Sequence, residues 1–278
     1  MSVILKGREL DEYNKSVYSR QWLDSSAARM RTDYYKKDHY EDTLRTLQSS
    51  GGTKVLECGI GTGEFFALEL ARSGKDVYGI DLSDVLLDDC RLRFRDNGLS
   101  ARLGIADVHG LPFKDGAFDA TFAIGVMPYM KDLSRVVWEM VRVTRKGGMV
   151  VFDVMNPLHI TQLSNYWYRV FEATPAGFRT IHMLKSLKRS LGFKTNFKEK
   201  PEKVNHQLIS PPRMLNILRR MPVRYTVRGY NVLLPLNIPV IGNRCNLCER
   251  SRLFSHGLRD NRLLKYFGSK LVFVIEKP

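Results

Sequence analysis

The apolar positions of this 278-residue chain change their period several times, and each change marks an element. Val55-Leu56-Glu57-Cys58 is a short apolar run that leads into glycines at every second position, Gly59, Gly61 and Gly63. A helical pattern follows, with Phe66, Leu68, Leu70 and Ala71. Asp76-Val77-Tyr78-Gly79-Ile80 then predicts a second strand that ends at Asp81. Strand and helix patterns keep alternating from Thr53 to Asp153, through Phe118–Gly125 and Glu139–Val143 to a fifth strand over Met149–Val154. That alternation predicts a parallel sheet with crossover helices.

The flanking regions read differently. Residues 1 to about 50 predict helices, Ser25–Met30 and Tyr40–Leu47, closed by the loop signal Ser49-Ser50-Gly51-Gly52. Residues 156–206 form an insertion rich in aromatics and bases. Within it Leu184, Leu187 and Leu191 give a basic amphipathic helix pattern. Ser210-Pro211-Pro212 opens another helix, with Met214, Leu215, Ile217 and Leu218 as its apolar face. Val223–Tyr230 and Leu271–Ile275 predict two last strands. The connection between them, about 40 residues, is long enough to be functional or flexible. It holds the proline-broken apolar stretch Leu233–Ile241, then Arg250–Phe254 and Arg259–Phe267, where bases alternate with exposed apolar residues.

The glycine loop is where chemistry first shows. Glycines at this spacing allow a tight turn and let a ligand lie on bare backbone. Asp81 follows 18 positions after Gly63, where a carboxylate can accept ribose hydroxyls. The spacing is Gly-x-Gly-x-Gly and not the Gly-x-Gly-x-x-Gly of dinucleotide sites. Glu57, at the strand end before the loop, can receive a cationic amine, which no nicotinamide cofactor offers. Ile105-Ala106-Asp107, Leu111-Pro112-Phe113 and Lys146-Gly147-Gly148 continue the pattern downstream.

On these residues the stretch from about Thr53 to Asp153 resembles the class I S-adenosyl-L-methionine (SAM)-dependent methyltransferases. Within them it is most similar to the ubiquinone/menaquinone and small-molecule or sugar methyltransferase branch. The resemblance implies a doubly wound, Rossmann-like α/β fold with a seven-stranded, mostly parallel sheet and an antiparallel last strand. It implies three regions: an N-terminal helical lid over residues 1–52, a SAM-binding core over 53–155, and basic acceptor-binding insertions with the closing strands over 156–278. Tyr18, Trp22, Tyr34 and Tyr35 would be the lid's aromatics. Glu57 would hold the methionine amino group, and Gly59, Ile60, Gly61 and Gly63 would line the methionyl and ribose portion. Asp81 would bond the ribose hydroxyls, and Leu82 would pack on the adenine. Asp107 would accept from the adenine amino group, with backbone contacts from Ala106 and Val108, and Ile124 would lie beneath the methionyl chain. Tyr129 sits where related enzymes line the acceptor pocket.

A hydroxyl acceptor benefits from a general base. Among six histidines, His159 lies just past the fifth strand, at the carboxyl edge where such sheets place substrates. His109, in the loop after Asp107, is the second candidate. No metal is expected. Cys245-Asn246-Leu247-Cys248 has only His256 as a near companion, short of a zinc ligand set, and reads as two free thiols in a loop. The remaining cysteines, Cys58 and Cys90, make no disulfide framework, and a reduced cytoplasm is the expected location.

Charge divides the chain. Residues 1–158 carry 22 Lys and Arg against 23 Asp and Glu, whereas residues 159–278 carry 22 against 6. The whole of the net +15 therefore comes from beyond the cofactor half, which is itself close to neutral. Such a field draws phosphates, nucleic acid or an anionic membrane surface. No run of 18 apolar residues predicts a membrane span, and Met1–Asp11 lacks the apolar core of a signal peptide. The expectation is a methyltransferase acting, at oxygen, on a small-molecule or lipid-linked acceptor that is glycan or anionic, peripheral at the inner face of a membrane. One alternative is an RNA methyltransferase gripping phosphates with its basic half, although Asn156-Pro157-Leu158-His159 only begins like the Asn-Pro-Pro-Tyr signature of amine methylation. The other is a non-catalytic regulatory protein that kept the SAM fold. The oligomeric state stays open.

Overall fold

A computed structural model of the protein describes residues 37–159, 207–232, 253–254 and 256–278, with isolated positions 174, 179 and 183. The expectations for Ser25–Met30, for Tyr18, Trp22, Tyr34 and Tyr35, for Leu184–Leu191, for Leu233–Ile241 and for Cys245 and Cys248 lie outside the described residues.

The chain enters through α1 (Lys37–Gln48). It then alternates β1 (Lys54–Cys58), α2 (Ala67–Arg72), β2 (Asp76–Asp81), α3 (Asp84–Asp96) and β3 (Arg102–Ile105). β4 (Phe118–Ala123), a 3-10 turn (Met127–Tyr129), α4 (Leu133–Val143) and β5 (Thr144–Met155) complete the central unit. α5 (Pro211–Leu218), β6 (Arg224–Tyr230), a 3-10 turn (Leu264–Phe267) and β7 (Lys270–Glu276) close it. The sheet order is β3-β2-β1-β4-β5-β7-β6. Pairings from β3 to β5 are parallel, and β7 runs antiparallel to both β5 and β6. This is the Rossmann-like, seven-stranded sheet expected, with its antiparallel last strand.

Local chemistry accounts for the elements. Ser83 caps α3, its hydroxyl accepting from the Leu86 N–H, and the Asp132 carboxylate caps α4 by accepting from Arg135 N–H. α4 buries Leu133, Val136, Val137 and Met140 against one face of the sheet, with Phe152, Phe273 and Met214. The other face packs Phe66, Phe94, Phe122 and Val151 with Tyr40 and Leu47 of α1. A sheet covered on both faces favours strands with continuous apolar runs, as Val55-Leu56 of β1 and Met149–Phe152 of β5 are.

The fifth strand starts at Thr144, earlier than the expected Met149. α4 runs into it without a loop. The Thr144 hydroxyl donates to Met140 O at 2.7 Å and lies 2.9 Å from the Thr121 hydroxyl of β4. Phe118 pairs with Thr144, the register then shifts, and Ala120 pairs with Met149. Lys146-Gly147-Gly148 bulges out between these two pairings.

Candidate active site

β1 and β2 end side by side, with Cys58 opposite Ile80. Gly59 N–H and Ile60 N–H both donate to Ile80 O, at 2.8 and 3.0 Å, so the loop turns tightly over the neighbouring strand. Gly61 has φ 54°, and a Cβ there would meet nothing within 4 Å. Its free side faces open space. Gly63, at φ 69°, has the opposite surroundings: a Cβ would come within 2.6 Å of Cys90 Sγ and 3.1 Å of the Phe94 ring. One glycine leaves room for a ligand, and the other lets α3 approach the loop.

Asp81 holds this loop. Its Oδ2 accepts Gly61 N–H at 2.9 Å and its Oδ1 accepts Ser83 N–H at 2.9 Å. Leu82, beside it, is 50% exposed, and Ile105 at the end of β3 is exposed as well. Ala106 N–H donates to Asp81 O at 3.3 Å, which brings the Ala106-Asp107-Val108 turn to the same rim. Val108 is buried in the core behind it. Asp107 is largely exposed, and its Oδ1 lies 2.9 Å from the His109 N–H and 2.7 Å from His109 Nδ1. Partial burial works against the Asp107 anion, but these bonds from His109 outweigh it and hold its carboxyl below the usual range.

Glu57 is the unusual member. It is buried at the end of β1. Burial, then the nearby Asp81 carboxylate, push its carboxyl well above the ordinary range, against a bond from Ala67 N–H. Glu57 Oε2 and Thr62 Oγ1 are both buried with no hydrogen-bond partner among the described residues. A buried acceptor left unpaired is costly, so it marks a place where something else supplies a donor. An open glycine backbone, an orphaned buried acid and a second acid beside it fit a ligand that carries a cationic amine and hydroxyls. SAM has both.

Ile124, half-buried, follows β4, and the loop it begins is fixed from below: Gly125 N–H donates to Asp153 Oδ1 at 2.6 Å. Asp153 belongs to a cluster that sequence reasoning missed. It is fully buried in β5 and accepts from Lys270 Nζ at 2.8 Å. His39 of α1 brings its Nε2 to 3.6 Å from Asp153 Oδ2. Burial raises the carboxyl of Asp153, but the Lys270 charge and the bonds from Lys270 and the Gly125 N–H overcome this and keep it ionised. His39, desolvated and facing Lys270, is lowered to about 3 despite Asp153, and so stays neutral. The only local signal was an acid inside the apolar run Val150-Val151-Phe152-Asp153-Val154.

The candidate bases fall in three different places. His159 is buried, and its Nε2–H donates to Asn231 O at 2.8 Å, toward the β6 edge. Burial lowers its pKa, although that bond opposes the fall. It sits in a brace: Asn156 Oδ1 accepts Leu158 N–H, and Asn156 Nδ2 donates to Tyr266 O and Gly268 O, each at 2.8 Å. His109 has Nδ1 on Asp107 and a buried Nε2 without a partner among the described residues. Tyr129, half-buried, ends the 3-10 turn after β4. The chain returns from its first insertion against that turn. Gln207 N–H donates to Pro128 O at 2.6 Å, and Gln207 Nε2 donates to Met130 O at 2.8 Å.

Comparison with known proteins bears on this geometry. Residues 56–152 match the family described as Methyltransferase domain. Over 118 residues the chain is 36% identical to Methyltransferase GfsG of Streptomyces halstedii, a match covering 41% of this chain and 42% of that protein. Over 219 residues it is 25% identical to the malonyl-[acyl-carrier protein] O-methyltransferase of Serratia marcescens, covering 79% of each. The chain thus spans less than half of the first relative and about four fifths of the second. A solved Thermotoga maritima structure, a SAM-dependent methyltransferase, shares the fold with a TM-score of 0.55 at 15% identity, over 95% of this chain and 100% of that one.

Proposed function

We propose that the protein, whose residues 56–152 match the methyltransferase domain family, is a class I SAM-dependent methyltransferase that moves a methyl group to an oxygen of a small or lipid-linked acceptor with an anionic part. The observation that carries this is the orphaned, buried Glu57 Oε2 beside Asp81 and the open side of Gly61. When bound, SAM supplies an electrophilic methyl on a sulfonium, so the protein's contribution is mainly alignment. Glu57 receives the amine, Asp81 the ribose hydroxyls, and Leu82 and Ile105 cover the adenine. Asp153 holds the Ile124–Val126 loop through Gly125 N–H. Tyr129 and the returning Gln207 segment stand at the carboxyl edge as acceptor contacts.

Oxygen as the target is supported by the Serratia relative, whose name specifies an O-methyltransferase. Two of the histidines are not available to an acceptor: His159 Nε2 is committed to Asn231, and His39 is sealed in the core. His109, held through Nδ1 by Asp107, keeps an unpaired Nε2 among the described residues and is the base an alcohol acceptor would use. A carboxylate needs no base to become a nucleophile, whereas an alcohol does.

The test is incubation of the protein with cell extract and SAM bearing a deuterated methyl, followed by mass spectrometry of separate fractions. Label in the small-molecule or lipid fraction, at an acidic oxygen, is the expected result. Label in RNA would replace this acceptor class with nucleic acid. Absence of SAM binding by calorimetry would remove the methyl-transfer reading altogether.

A further inference from the structure

A short stretch before β7 carries large apolar side chains that the fold holds outward. Leu263 is 71% exposed, Phe267 is 52% exposed, and Leu264 is exposed between them. Leu253 and Phe254, just upstream, are exposed as well. Isolated exposed leucines are ordinary, but three large apolar residues within five positions are not.

The backbone under these side chains is fastened. Gly229 N–H of β6 donates to Arg259 O at 2.9 Å. The Lys265 carbonyl lies against Gly229, where any Cβ would collide with it. Asn261 Oδ1 accepts both Leu263 N–H and Leu264 N–H, at 3.1 Å. Asn156 reaches from the end of β5 to Tyr266 O and Gly268 O. A stretch tied at four points presents its side chains instead of folding them away, and a surface already ordered loses little entropy on docking.

Charge accompanies the apolar residues. Arg262 is exposed, and Lys265 stands over the Tyr266 ring at 5.4 Å. Neither has a carboxylate partner among the described residues. The nearby acids are already matched: Asp260 by Arg259 at 3.2 Å and Arg228 at 3.5 Å, Asp42 by Arg259, and Asp38 by His256 at 3.6 Å. Leu253, Leu263 and Leu264, the larger part of the patch, offer a nucleic acid neither stacking nor hydrogen bonds, and the rings of Phe254 and Phe267 serve an apolar surface equally well. Aliphatic residues beside unpaired bases fit the boundary between acyl chains and anionic headgroups.

We propose that Leu263, Leu264 and Phe267, with Arg262 and Lys265, form a docking surface for an anionic lipid bilayer. Its position gives it a use. Lys270, at the start of β7, is opposite Met155 and Tyr230, at the carboxyl end of β5. That is the edge on which the β1 glycine loop opens. Docking brings the bilayer to the acceptor side of the sheet, so a lipid-linked acceptor is reached without leaving the membrane. This last clause rests on the proposed acceptor class; the docking itself does not.

The experiment is flotation of the full chain with phosphatidylcholine vesicles, with and without phosphatidylglycerol, at low and high salt. The protein floats with phosphatidylglycerol vesicles and keeps part of that binding in high salt. The pair Leu263→Ser and Phe267→Ser lowers partitioning by roughly a hundredfold. The pair Arg262→Gln and Lys265→Gln lowers it by about tenfold or more, and only for the anionic vesicles. SAM binding, measured by calorimetry, is unchanged in both, which separates this proposal from the cofactor and acceptor readings. Lack of flotation overturns the proposal, as does flotation indifferent to the serine pair. RNA binding or self-association that these substitutions abolish, without vesicle binding, assigns the surface to that partner instead.

Discussion

Glu57 is disfavoured as an anion first by its own burial and then by the Asp81 carboxylate at the end of the neighbouring strand. Two acids arranged to repel each other are a poor way to stabilise a fold. They are a good way to receive a cation, which relieves both burdens at once.

The Glu57→Gln variant therefore separates stability from binding. Folded Glu57 keeps its proton at pH values where the unfolded chain, near pKa ~4.3, has lost it. Its contribution to stability falls as pH rises through that window. Glu57→Gln removes the penalty, so the free protein melts higher at neutral pH. It also removes the charge that meets the amine, and SAM binding weakens by about tenfold or more. In the parent protein SAM affinity rises with pH as Glu57 ionises; in the variant it is flat. Calorimetry and thermal melts across pH check both halves.

Asp81→Ala loses the ribose contact and the anchor of Gly61 N–H and Ser83 N–H. Charge-assisted bonds of this kind are worth about 1.5–3 kcal/mol, so SAM binding falls roughly ten- to a hundredfold. A titration showing unchanged affinity rejects the ribose assignment.

The glycines give a paired test. Gly63→Ala drives a methyl into Cys90 Sγ and Phe94, and overpacking plus left-handed strain costs about 2–4 kcal/mol. Gly61→Ala meets no neighbour and carries only the backbone strain, about 1–2 kcal/mol. Its methyl instead fills the space meant for the ligand. The expected outcome is a large loss of melting temperature for Gly63→Ala and a small one for Gly61→Ala. At temperatures where both are folded, the loss of SAM affinity is greater for Gly61→Ala.

His39 makes the fold sensitive to acid. Its folded pKa, about 3, lies below the unfolded value of about 6.5. The unfolded state thus binds a proton that the folded state refuses. Stability contributed by neutral His39 is present above pH ~6.5 and is lost as pH falls, by about 1.4 kcal/mol per unit. His39→Leu removes a buried nitrogen without a hydrogen bond and flattens this slope. The slope that remains between neutrality and pH ~4 combines His159, which burial shifts the same way, with Glu57, whose raised carboxyl works in the opposite direction. Denaturant melts from pH 7 to 4.5 measure both.

The parts legible in the sequence are those written in adjacent residues. β1, β2, β4 and β5 are apolar runs because both sheet faces are covered, and the glycine loop and Asp81 announce themselves by spacing. Thr144 was hidden because its strand character comes from one pairing with Phe118 across a bulge. The cluster of His39, Asp153 and Lys270 was hidden for a different reason. Its members meet only after three elements fold together, with 117 positions separating Asp153 from Lys270 alone. His159 was legible as a position but not as a partner, since nothing local links it to Asn231.

The alignment of Met155, Lys270 and Tyr230 across three strands has a wider meaning. The chain leaves the sheet at Met155 and again at Tyr230, and comes back at Lys270 beside both exits. Ile209 N–H returns to Met155 O at 2.9 Å, so the first excursion also starts and finishes at one point. Whatever lies between such neighbouring ends can lengthen, shorten or be exchanged at a cost that grows only slowly with its length. On the proposed function, a segment that meets the acceptor could therefore change without disturbing the half that would hold the methyl donor.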